Sequence, residues 1–533
     1  MKGFTYLTNN INNLDGKTST ILSIDCGTQS IRVLLFSATG QLLDKEQVTY
    51  EPYVSPRPGW AEQNPEVFWH GLCKASRILK SRRPELYQAI QGVGVTTQRD
   101  SMVNIDSTGN VLRPVITWLD QRKAKPLYKP NPFMNMALSL VGMNETIQKI
   151  QSDAKCNWIR QNQPDIWEQT HKYLQISGFL NYRLTGEWSD SVSSQIGHIP
   201  FNYKSMKWAK SGSLNMLVCP VEPEKLPELV VPGEIIGAVS QSAAESTGIN
   251  AGTLVIACGS DKGCETIGMG VLHPTMASLS FGTTATVQTT TKKYCEALKF
   301  MPAYPAPIPG HYNPEVEIFR GFWMITWFKN EFAHKEIEAA ASRGVSPEVV
   351  MNEMLAKSPP GAMGLMVQPY WGPGLKNPSA KGSIIGFGDV HKKAHVYRSV
   401  VEGLCYGLLD GLKKIEKACG TKVTRLAVSG GASQSDEICQ ISADIFNRPI
   451  VRGKTFETSG LGAAIVTAKG VGIHKSFEIA IKEMVSYAQK YRPNPANARL
   501  YEQLFDRVYT KLYPSLKDIY EEIRDITGYP EKL

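Results

Sequence analysis

The sequence predicts an α/β protein of two domains, and three observations support that prediction. Its 533 residues exceed what one hydrophobic core usually organises. Blocks with strand signals are followed by amphipathic helical blocks, and this succession occurs twice along the chain. Each half also contains an apolar strand, a tight Gly-Thr turn and a second apolar strand, SIDCGTQSIRV at 23–33 and SLSFGTTATV at 278–287. The repeated unit indicates an internal duplication.

The first domain is predicted at 19–268. The Asn-rich segment 1–18 lacks the apolar stretch of a signal peptide, and we expect it to be a mobile leader. Residues 20–50 predict two or three antiparallel strands joined by tight turns. A helix is expected from Asn64, as its cap, and Pro65, as its first residue. Further strands are predicted within 89–106 and 252–260.

The second domain is predicted at 269–533. After the strands around 278–287, the sequence predicts an amphipathic helix near 394–418, then the strand RLAVS and a second helix. From about residue 475 to the end the pattern is mostly helical and amphipathic. We expect this tail to pack on the outside of the second half.

Composition excludes several classes of protein. The net charge of +9 is modest for this length, and Lys and Arg are interspersed with acids, so neither nucleic acid nor a membrane surface is an expected partner. No run of about 18 apolar residues is present. Ten cysteines occur without a Cys-x-x-Cys pair, which favours reduced thiols in the cytoplasm. The oligomeric state stays open, with a homodimer as one alternative.

The two Gly-Thr turns suggest phosphate binding. A tight turn exposes backbone N–H groups and hydroxyls to phosphate oxygens, and Asp25 at a strand end suits a hydrated divalent cation. Gly430 and Gly431 follow another predicted strand, where a nucleoside could approach the backbone closely. Ordinary hairpins and a simple strand-to-helix turn are the alternative interpretations. The glycines form neither a Walker A motif nor a dinucleotide-binding loop.

Taken in order, longer motifs resemble the FGGY family of carbohydrate kinases over about residues 20–480. The resemblance rests on five stretches: IDCGTQSIRVLLFSATGQLL, PGWAEQNPEVFW, VTTQRDSMV with PVITWLDQR, CGSDKG, and GSIIGFGDVHKKAHVYRSVVEG. The last follows the C-terminal signature of the family at all positions but one, where Phe387 replaces a smaller aliphatic residue. The family resemblance implies two actin-like ATPase domains of the ribonuclease H-like fold, with the active site in the cleft between them.

The resemblance also implies ATP-dependent phosphorylation of a sugar or polyol hydroxyl. Asp261 would be the general base, and a helix-capping role is the alternative. Asp25 and Asp261 would hold Mg²⁺ with the nucleotide. The residues implied to orient the phosphates are Thr28, Gln29, Gly282, Thr283 and Thr284. Those implied to line the nucleoside pocket are Gly321, Gly430, Gly431, Ala432 and Ser435.

The implied substrate pocket contains Gln98, Arg99, Asp100, Trp118 and Lys262. Charged groups would bind hydroxyls, and the Trp face would cover the C–H edge of the ligand. Asp100 is shorter than the Glu of glycerol kinases, Lys262 stands where Asn or Gln is commoner, and a Tyr near Ile150 is missing. These departures favour a four- or five-carbon ketose or polyol. Glycerol kinase, a pseudokinase in which Lys262 pairs with Asp261, and an actin-like ATPase are the alternatives.

Overall fold

The computed structural model describes residues 19–128, 136, 144–299, 301–371 and 380–529. The predicted leader at 1–18 lies outside the described residues. The chain divides into two compact units. The first contains the described residues up to Gly268 together with Tyr304–His311 and Glu457–Val485. The second contains those of Met269–Ala303, Tyr312–Phe456 and Ser486–Leu533. Two segments that the sequence analysis placed in the second domain therefore fold with the first unit.

A six-stranded sheet forms the centre of the first unit. In spatial order its strands are Ile235–Ala238, Leu254–Ser260, Ile90–Thr97, Thr20–Cys26, Ser30–Ser37 and Leu42–Thr49. The last three pair antiparallel, as the turn residues of 20–50 predict. The strands Thr20–Cys26, Ile90–Thr97 and Leu254–Ser260 run parallel to one another. This unit also holds a four-stranded sheet made of Glu62–Gln63, Val115–Ile116, Met102–Ile105 and Lys172–Gln175.

The second unit repeats this design. In spatial order its sheet contains Tyr487–Tyr491, Ile450–Gly453, Arg425–Ser429, Met276–Phe281, Ala285–Thr289 and Glu315–Ile318. The middle strands are parallel, and antiparallel strands flank them on both sides. Strand directions match those of the first sheet position by position, and the chain order matches except at one edge, where Tyr487–Tyr491 follows its neighbour in the chain whereas Ile235–Ala238 precedes its own. That match is what the predicted duplication requires.

Helices cover both sheets. Those of the first unit are Glu66–Arg82, Pro84–Gln88, Asn144–Asp153, Lys155–Asn162, Pro164–Gln169, Ile176–Thr185, Leu214–Val218, Gln241–Thr247, Asp261–Gly268, Thr458–Gly470 and Phe477–Met484. Those of the second are Trp323–Phe332, His334–Arg343, Pro347–Ala356, Lys393–Cys419, Asp436–Phe446, Pro495–Leu504 and Thr510–Thr527. The predicted helix near 394–418 is thus confirmed. The helix predicted to start at Pro65 begins at Glu66, so Pro65 takes the cap position, and Oδ1 of Asn64 accepts a 3.0 Å hydrogen bond from the Glu66 amide.

Short strands and turns complete the two units. The remaining short strands are Ser189–Ser191, Phe201–Asn202, Lys207–Trp208, Glu228–Val230, Tyr304–Pro305, Tyr312–Asn313, Met366–Gln368 and Ser383–Ile385. The 3₁₀ turns are Val192–Ser194, Pro223–Lys225, Ala362–Gly364 and Gly431–Gln434, and Phe505–Tyr509 is a π-helical turn. No helix among the described residues is long and apolar enough to cross a bilayer.

The helix Thr458–Gly470 shows why a late segment belongs to the first unit. It packs closely on the helix Asp261–Gly268, and a Cβ at Gly462 would lie 1.8 Å from the Cys264 carbonyl oxygen. A Cβ at Gly268 would lie 2.0 Å from the Thr458 carbonyl oxygen. Only glycine permits such close backbone approach. The two helices fix the end of the strand that precedes Asp261.

One expectation for the second unit was confirmed with an addition, and one was wrong. The tail from 475 is mostly helical, as predicted, and Tyr487–Tyr491 in addition forms an edge strand of the sheet by pairing with Ile450–Gly453. The cysteines are not all reduced in the structure: Cys295 and Cys419, 124 residues apart, form a disulfide. Their pairing depends on the tertiary fold, which spacing alone does not reveal.

Candidate active site

Three polar segments meet at the carboxyl edge of the first sheet. Asp25 lies in the strand Thr20–Cys26, Gln98 to Asp100 follow the strand Ile90–Thr97, and Asp261 follows Leu254–Ser260. These strands are parallel neighbours, with Asp25 opposite Thr96 and Thr97 opposite Ser260. Parallel strands place their carboxyl ends at one edge, where open α/β sheets bind ligands.

Asp261 is the first residue of a helix, but Ser260 acts as the cap. The Ser260 hydroxyl accepts hydrogen bonds of 3.3 Å from the Gly263 amide and from Nε of Arg99. Oδ1 of Asp261 accepts a 2.7 Å hydrogen bond from the Lys262 amide and lies 3.7 Å from Arg99 Nε. The helix-capping alternative for Asp261 therefore loses its main support, since a neighbouring hydroxyl serves that purpose.

The environment of Asp261 favours proton acceptance. Burial raises the pKa of Asp261, and the positive charges of Arg99 and Lys262 only partly oppose this effect. A carboxylate with a raised pKa is a better base near neutral pH. Nζ of Lys262 donates a 2.9 Å hydrogen bond to Glu265, so the ammonium group has an acidic partner besides Asp261. This geometry weakens the pseudokinase interpretation.

Asp25 is a second carboxylate at this edge, and it is buried. Burial raises its pKa to about 6, the charge of Arg32 opposes this, and the charge of Asp261 adds to it. NH1 of Arg32 lies 3.3 Å from Asp25 and 3.7 Å from Glu457. A cation bound by both carboxylates would relieve the repulsion between their negative charges. Within the described ranges no group of three or more metal-binding side chains occurs, so any cation here would keep water or phosphate ligands.

A hydrogen-bond chain links the first Gly-Thr turn to the segment around Gln98. The Trp118 indole N–H can only donate, and it lies 3.0 Å from the Thr28 hydroxyl. The single hydroxyl hydrogen of Thr28 then goes to Oε1 of Gln98, 2.7 Å away. This order fixes the Gln98 amide, whose Nε2 is buried with no hydrogen-bond partner among the described residues. Gln29, in the same turn, is exposed.

Asp100 has partners that the sequence did not indicate. Its Oδ1 accepts a 2.9 Å hydrogen bond from the His198 amide, and its Oδ2 lies 2.9 Å from Nδ1 of His198. Nζ of Lys155 donates to the same Oδ2. Burial opposes ionisation, but Lys155 and His198 outweigh it and lower the pKa of Asp100. We name Asp100, Lys155 and His198 the Asp100 cluster.

Aromatic rings connect the Asp100 cluster with the base. The Tyr203 hydroxyl bonds the backbone of Gly197, beside His198, and the Tyr203 ring contacts Tyr304 edge-on at 5.6 Å. The Arg99 guanidinium lies 5.1 Å from the Tyr304 ring centroid. Arg99 in turn reaches Asp261. All of these residues belong to the first unit.

The second unit brings three predicted glycine loops together. Gly282 and Gly430 follow the parallel strands Met276–Phe281 and Arg425–Ser429 at one edge of the sheet. Gly430 has φ +85°, and a Cβ there would lie 2.7 Å from the Phe281 carbonyl carbon. A Cβ at Gly321 would lie 2.3 Å from the Ala285 amide. The Phe322 amide donates a 3.0 Å bond to Gly282.

The other predicted nucleotide residues lie along these loops. Gly431 faces open space, and Ala432 packs against the core. The Thr284 hydroxyl donates a 3.2 Å bond to the Phe319 carbonyl, and Thr283 is in the same turn. Ser435 is buried and caps the helix Asp436–Phe446 by accepting from the Ile438 amide at 3.2 Å. A helix cap explains Ser435 without a ligand.

Sequence reasoning missed four residues of the first unit: Arg32, Lys155, His198 and Tyr304. Arg32 carried a usable signal, because a tight hairpin after Cys26 places it directly opposite Asp25. The other three come from separate segments with no motif. Tyr304 lies in a short excursion of the chain back to the first unit.

Comparisons with known proteins agree with this arrangement. The family models for the N-terminal and C-terminal domains of the FGGY carbohydrate kinases match residues 20–268 and 277–471. A xylulose kinase of Lactococcus lactis is 26% identical over 94% of this chain and 98% of its own length. A gluconokinase of Bacillus subtilis is 27% identical over 95% of this chain and 98% of its own length.

A solved structure also shares the fold. The gluconate kinase of Lactobacillus acidophilus superposes with a TM-score of 0.79 at 22% identity, covering 95% of this chain and 99% of that one. The prediction of a two-domain, actin-like α/β fold is thereby confirmed. With both family models matched in order over most of its length, the chain belongs to the FGGY family of carbohydrate kinases.

Proposed function

We propose that this protein transfers the γ-phosphoryl group of ATP to a hydroxyl of a four- or five-carbon ketose or polyol. The observation that carries the proposal is Asp261: a partly exposed carboxylate of raised pKa at the carboxyl edge of a parallel sheet, 3.7 Å from Nε of Arg99. Membership of a family of ATP-dependent carbohydrate kinases supports the reaction class. The choice of a four- or five-carbon ketose or polyol rests on the residues of the substrate pocket.

In the proposed reaction, Asp261 accepts the proton of the attacking hydroxyl. As the sugar oxygen bonds to the γ-phosphorus, the bond between the γ-phosphorus and the β,γ-bridging oxygen breaks, and ADP leaves with that oxygen. Arg99 and the Lys262 amide both engage Oδ1 of Asp261. We assign the proton to Oδ2, which accepts no hydrogen bond from the described residues.

Residues of both units are proposed to bind ATP. In the second unit, the backbone around Gly282, Gly321 and Gly430 would accept the nucleotide, and Gly431 has the open space a nucleoside needs. In the first unit, Thr28 and Gln29 would orient phosphate oxygens. Arg32 adds a partly exposed positive charge beside Asp25.

Asp25 and Asp261 fit a hydrated Mg²⁺ that is held mainly by ATP. The buried Asp25 and the partly exposed Asp261, whose charge raises the pKa of Asp25, offer the oxygen ligands that Mg²⁺ prefers. When bound, Mg²⁺ neutralises charge on the β- and γ-phosphates. Asp25 would contribute an acidic ligand, and the charge of Arg32 opposes the rise that burial causes in its pKa. We also propose a cytoplasmic location, where ATP is abundant.

Donors predominate among the proposed sugar contacts. Gln98 Nε2, Arg99 and Lys262 can donate to ligand oxygens, and the exposed Trp118 face can cover C–H groups. A longer ketose or polyol presents more acceptor oxygens than glycerol does. The name of the Lactococcus relative, xylulose kinase, agrees with a ketose.

A substrate panel tests the proposed function. ADP release is measured by a coupled assay with glycerol, erythritol, xylulose, ribulose and gluconate, at saturating ATP and Mg²⁺. We expect kcat/KM for a four- or five-carbon ketose or polyol to exceed that for glycerol at least tenfold. Glycerol as the best substrate by tenfold would make this a glycerol kinase. ATP turnover that ignores every sugar would contradict kinase function.

A further inference from the structure

The Asp100 carboxylate already has three donors from the protein. Oδ1 accepts from the His198 amide, and Oδ2 accepts from Nδ1 of His198 and from Nζ of Lys155. Asp100 also has φ +52°, a left-handed conformation that Asp tolerates better than most residues. A carboxylate engaged in this way has little capacity left for substrate hydroxyls. Its neighbours Lys155 and His198 can still form hydrogen bonds to a ligand.

We propose that Lys155 and His198 bind the sugar, that Asp100 is a positioning residue holding both, and that the pair selects a neutral substrate. Lys155 and His198 would both form hydrogen bonds to one sugar hydroxyl, which is not the hydroxyl that is phosphorylated. This inference rests on the proposed kinase function.

Lys155 is a buried cation with unused hydrogen-bond donors. It opens the helix Lys155–Asn162, and its side chain is 8% exposed. An ammonium group has three N–H donors, and within the described residues only Asp100 accepts one. Unused donors on a buried charge are costly unless a ligand accepts them. A sugar oxygen would meet this requirement.

His198 supplies the complementary acceptor. The ionised Asp100 carboxylate can only accept, so Nδ1 of His198 carries the hydrogen of their 2.9 Å bond. In the neutral imidazole, Nε2 is then an acceptor, and it has no hydrogen-bond partner within the described ranges. The side chain is 30% exposed. Lys155 can donate to a hydroxyl oxygen while Nε2 accepts the hydroxyl hydrogen.

The charges around the pocket favour a neutral ligand. Arg99, Lys155 and Lys262 carry three positive charges, and Asp100, Asp261 and Glu265 carry three negative charges. A substrate carboxylate would disturb this balance and would need a protonated His198 to donate to it. The groups that face His198 are Asp100, which also binds Lys155, and Asp153, where burial raises the pKa but the partners Lys123 and Lys149 outweigh it and lower the pKa.

The pH dependence of KM tests the inference. Protonation converts Nε2 of His198 from an acceptor into a donor, which opposes binding of a hydroxyl hydrogen. KM for the best neutral sugar is measured between pH 7.5 and 5.5, the range in which imidazoles titrate, at saturating ATP. We expect KM to rise at least fivefold as pH falls. Loss of base function at Asp261 lowers kcat, so the two effects separate.

Variants at His198 assign the effect. In His198→Gln the side-chain amide offers an acceptor at every pH, so the rise in KM at acid pH should disappear. His70→Gln is the matched control, because His70 is exposed on the helix Glu66–Arg82, and it should behave like wild type. A KM that falls or stays constant on acidification of the wild type would overturn the inference. A falling KM would instead indicate an anionic substrate.

Variants at the two partners test the positioning role. Lys155→Met and Asp100→Asn should each raise KM for the sugar at least tenfold while kcat changes less than about threefold. Lys155→Arg should recover part of the loss, and Lys74→Met at an exposed site is the control. An unchanged KM in Asp100→Asn, with wild-type thermal stability, would contradict positioning by Asp100.

The two proposals fail in different ways. Wild-type protein that shows no sugar-stimulated ADP release at any pH contradicts the kinase function and with it the inference. Sugar-stimulated release with a KM that is indifferent to pH, Lys155 and His198 contradicts the inference alone. The inference alone would also be contradicted if gluconate were the best substrate and its KM fell at acid pH.

Discussion

The Thr28 hydroxyl donates a 2.7 Å hydrogen bond to Oε1 of Gln98. This bond joins the first Gly-Thr turn, a proposed phosphate site, to the segment proposed to bind the sugar. The indole N–H of Trp118 donates to the same Thr28 hydroxyl. The Thr28 oxygen therefore also orients Trp118, which is a second proposed sugar contact. A single side chain thus links the two halves of the proposed chemistry within the first unit.

Thr28→Val keeps the side-chain shape but removes the hydroxyl. Gln98 Oε1 and the Trp118 N–H then lose their partner, at a cost of about 1–3 kcal/mol for unsatisfied polar groups. We expect kcat/KM for the sugar to fall between about fivefold and a hundredfold. Thr39→Val, in an exposed turn after the strand Ser30–Ser37, should have wild-type kinetics. Equal kinetics of both variants would contradict the link.

Gly430 and Gly431 form a matched pair in the second unit. Alanine at Gly430 would be strained at φ +85° and would meet the Phe281 backbone. We expect Gly430→Ala to lose at least about 1–2 kcal/mol of stability, the cost of a left-handed residue, and thus several degrees in Tm. Gly431→Ala meets no atom within 4 Å and should keep its Tm.

ATP binding separates the two glycine variants further. If Gly431 faces the nucleoside, Gly431→Ala should raise KM for ATP with no change in Tm. Thermal melts monitored by circular dichroism and ATP titrations provide both values. A normal KM for ATP in Gly431→Ala would remove Gly431 from the proposed nucleotide site.

The fold was largely predictable, because its signals are local. Apolar stretches and Gly-Thr turns predicted the hairpins, and the amphipathic pattern near 394–418 predicted the long helix. The strand Tyr487–Tyr491 was missed because its pairing with Ile450–Gly453 exists only in the tertiary structure. The same holds for the return of 457–485 to the first unit, which depends on helix packing at Gly462.

The site was predictable only where motifs mark strand ends. Asp25 lies near the end of an apolar strand, Arg99 and Asp261 follow two others, and parallel pairing puts all three at one edge. Lys155 and His198 come from segments without a motif, and only the tertiary structure brings them to Asp100. The sequence predicts Asp100 as a ligand for hydroxyls, and only the structure shows these protein partners.

Asp190 should make stability depend on pH. Burial raises its pKa from 3.8 to about 6, although Ser177, Gln195, Asn181 and the Ser191 amide donate to it. The folded protein thus holds a proton more tightly than the unfolded chain. Its contribution is most favourable below about pH 4, and roughly 3 kcal/mol is lost as pH rises past 6.

Urea unfolding at pH 4.5, 6 and 7.5 isolates this contribution when wild type is compared with Asp190→Asn. The amide cannot ionise, so the stability difference between the two proteins should shift toward the variant as pH rises. Ser177→Ala, which removes a donor to the charged form, should steepen the pH dependence. A difference that is independent of pH would show that Asp190 has an ordinary pKa.

The Cys295–Cys419 disulfide should stabilise the second unit. It closes a loop of 124 residues, and cross-links of this length contribute roughly 2–5 kcal/mol through the unfolded state. Reduction should therefore lower the Tm of the wild type, and Cys295→Ser should melt like the reduced protein in either buffer. Identical melting of oxidised and reduced wild type, with the disulfide verified by mass spectrometry, would contradict this contribution.

The most direct test of the central claim is sugar-stimulated ADP release by Asp261→Asn. The amide keeps the size and the backbone contact with Lys262 but cannot accept the hydroxyl proton. We predict that kcat with the best sugar falls about a hundredfold or more, while ATP binding and Tm stay close to wild type. Near-normal kcat in this variant would contradict the role of Asp261 as the base.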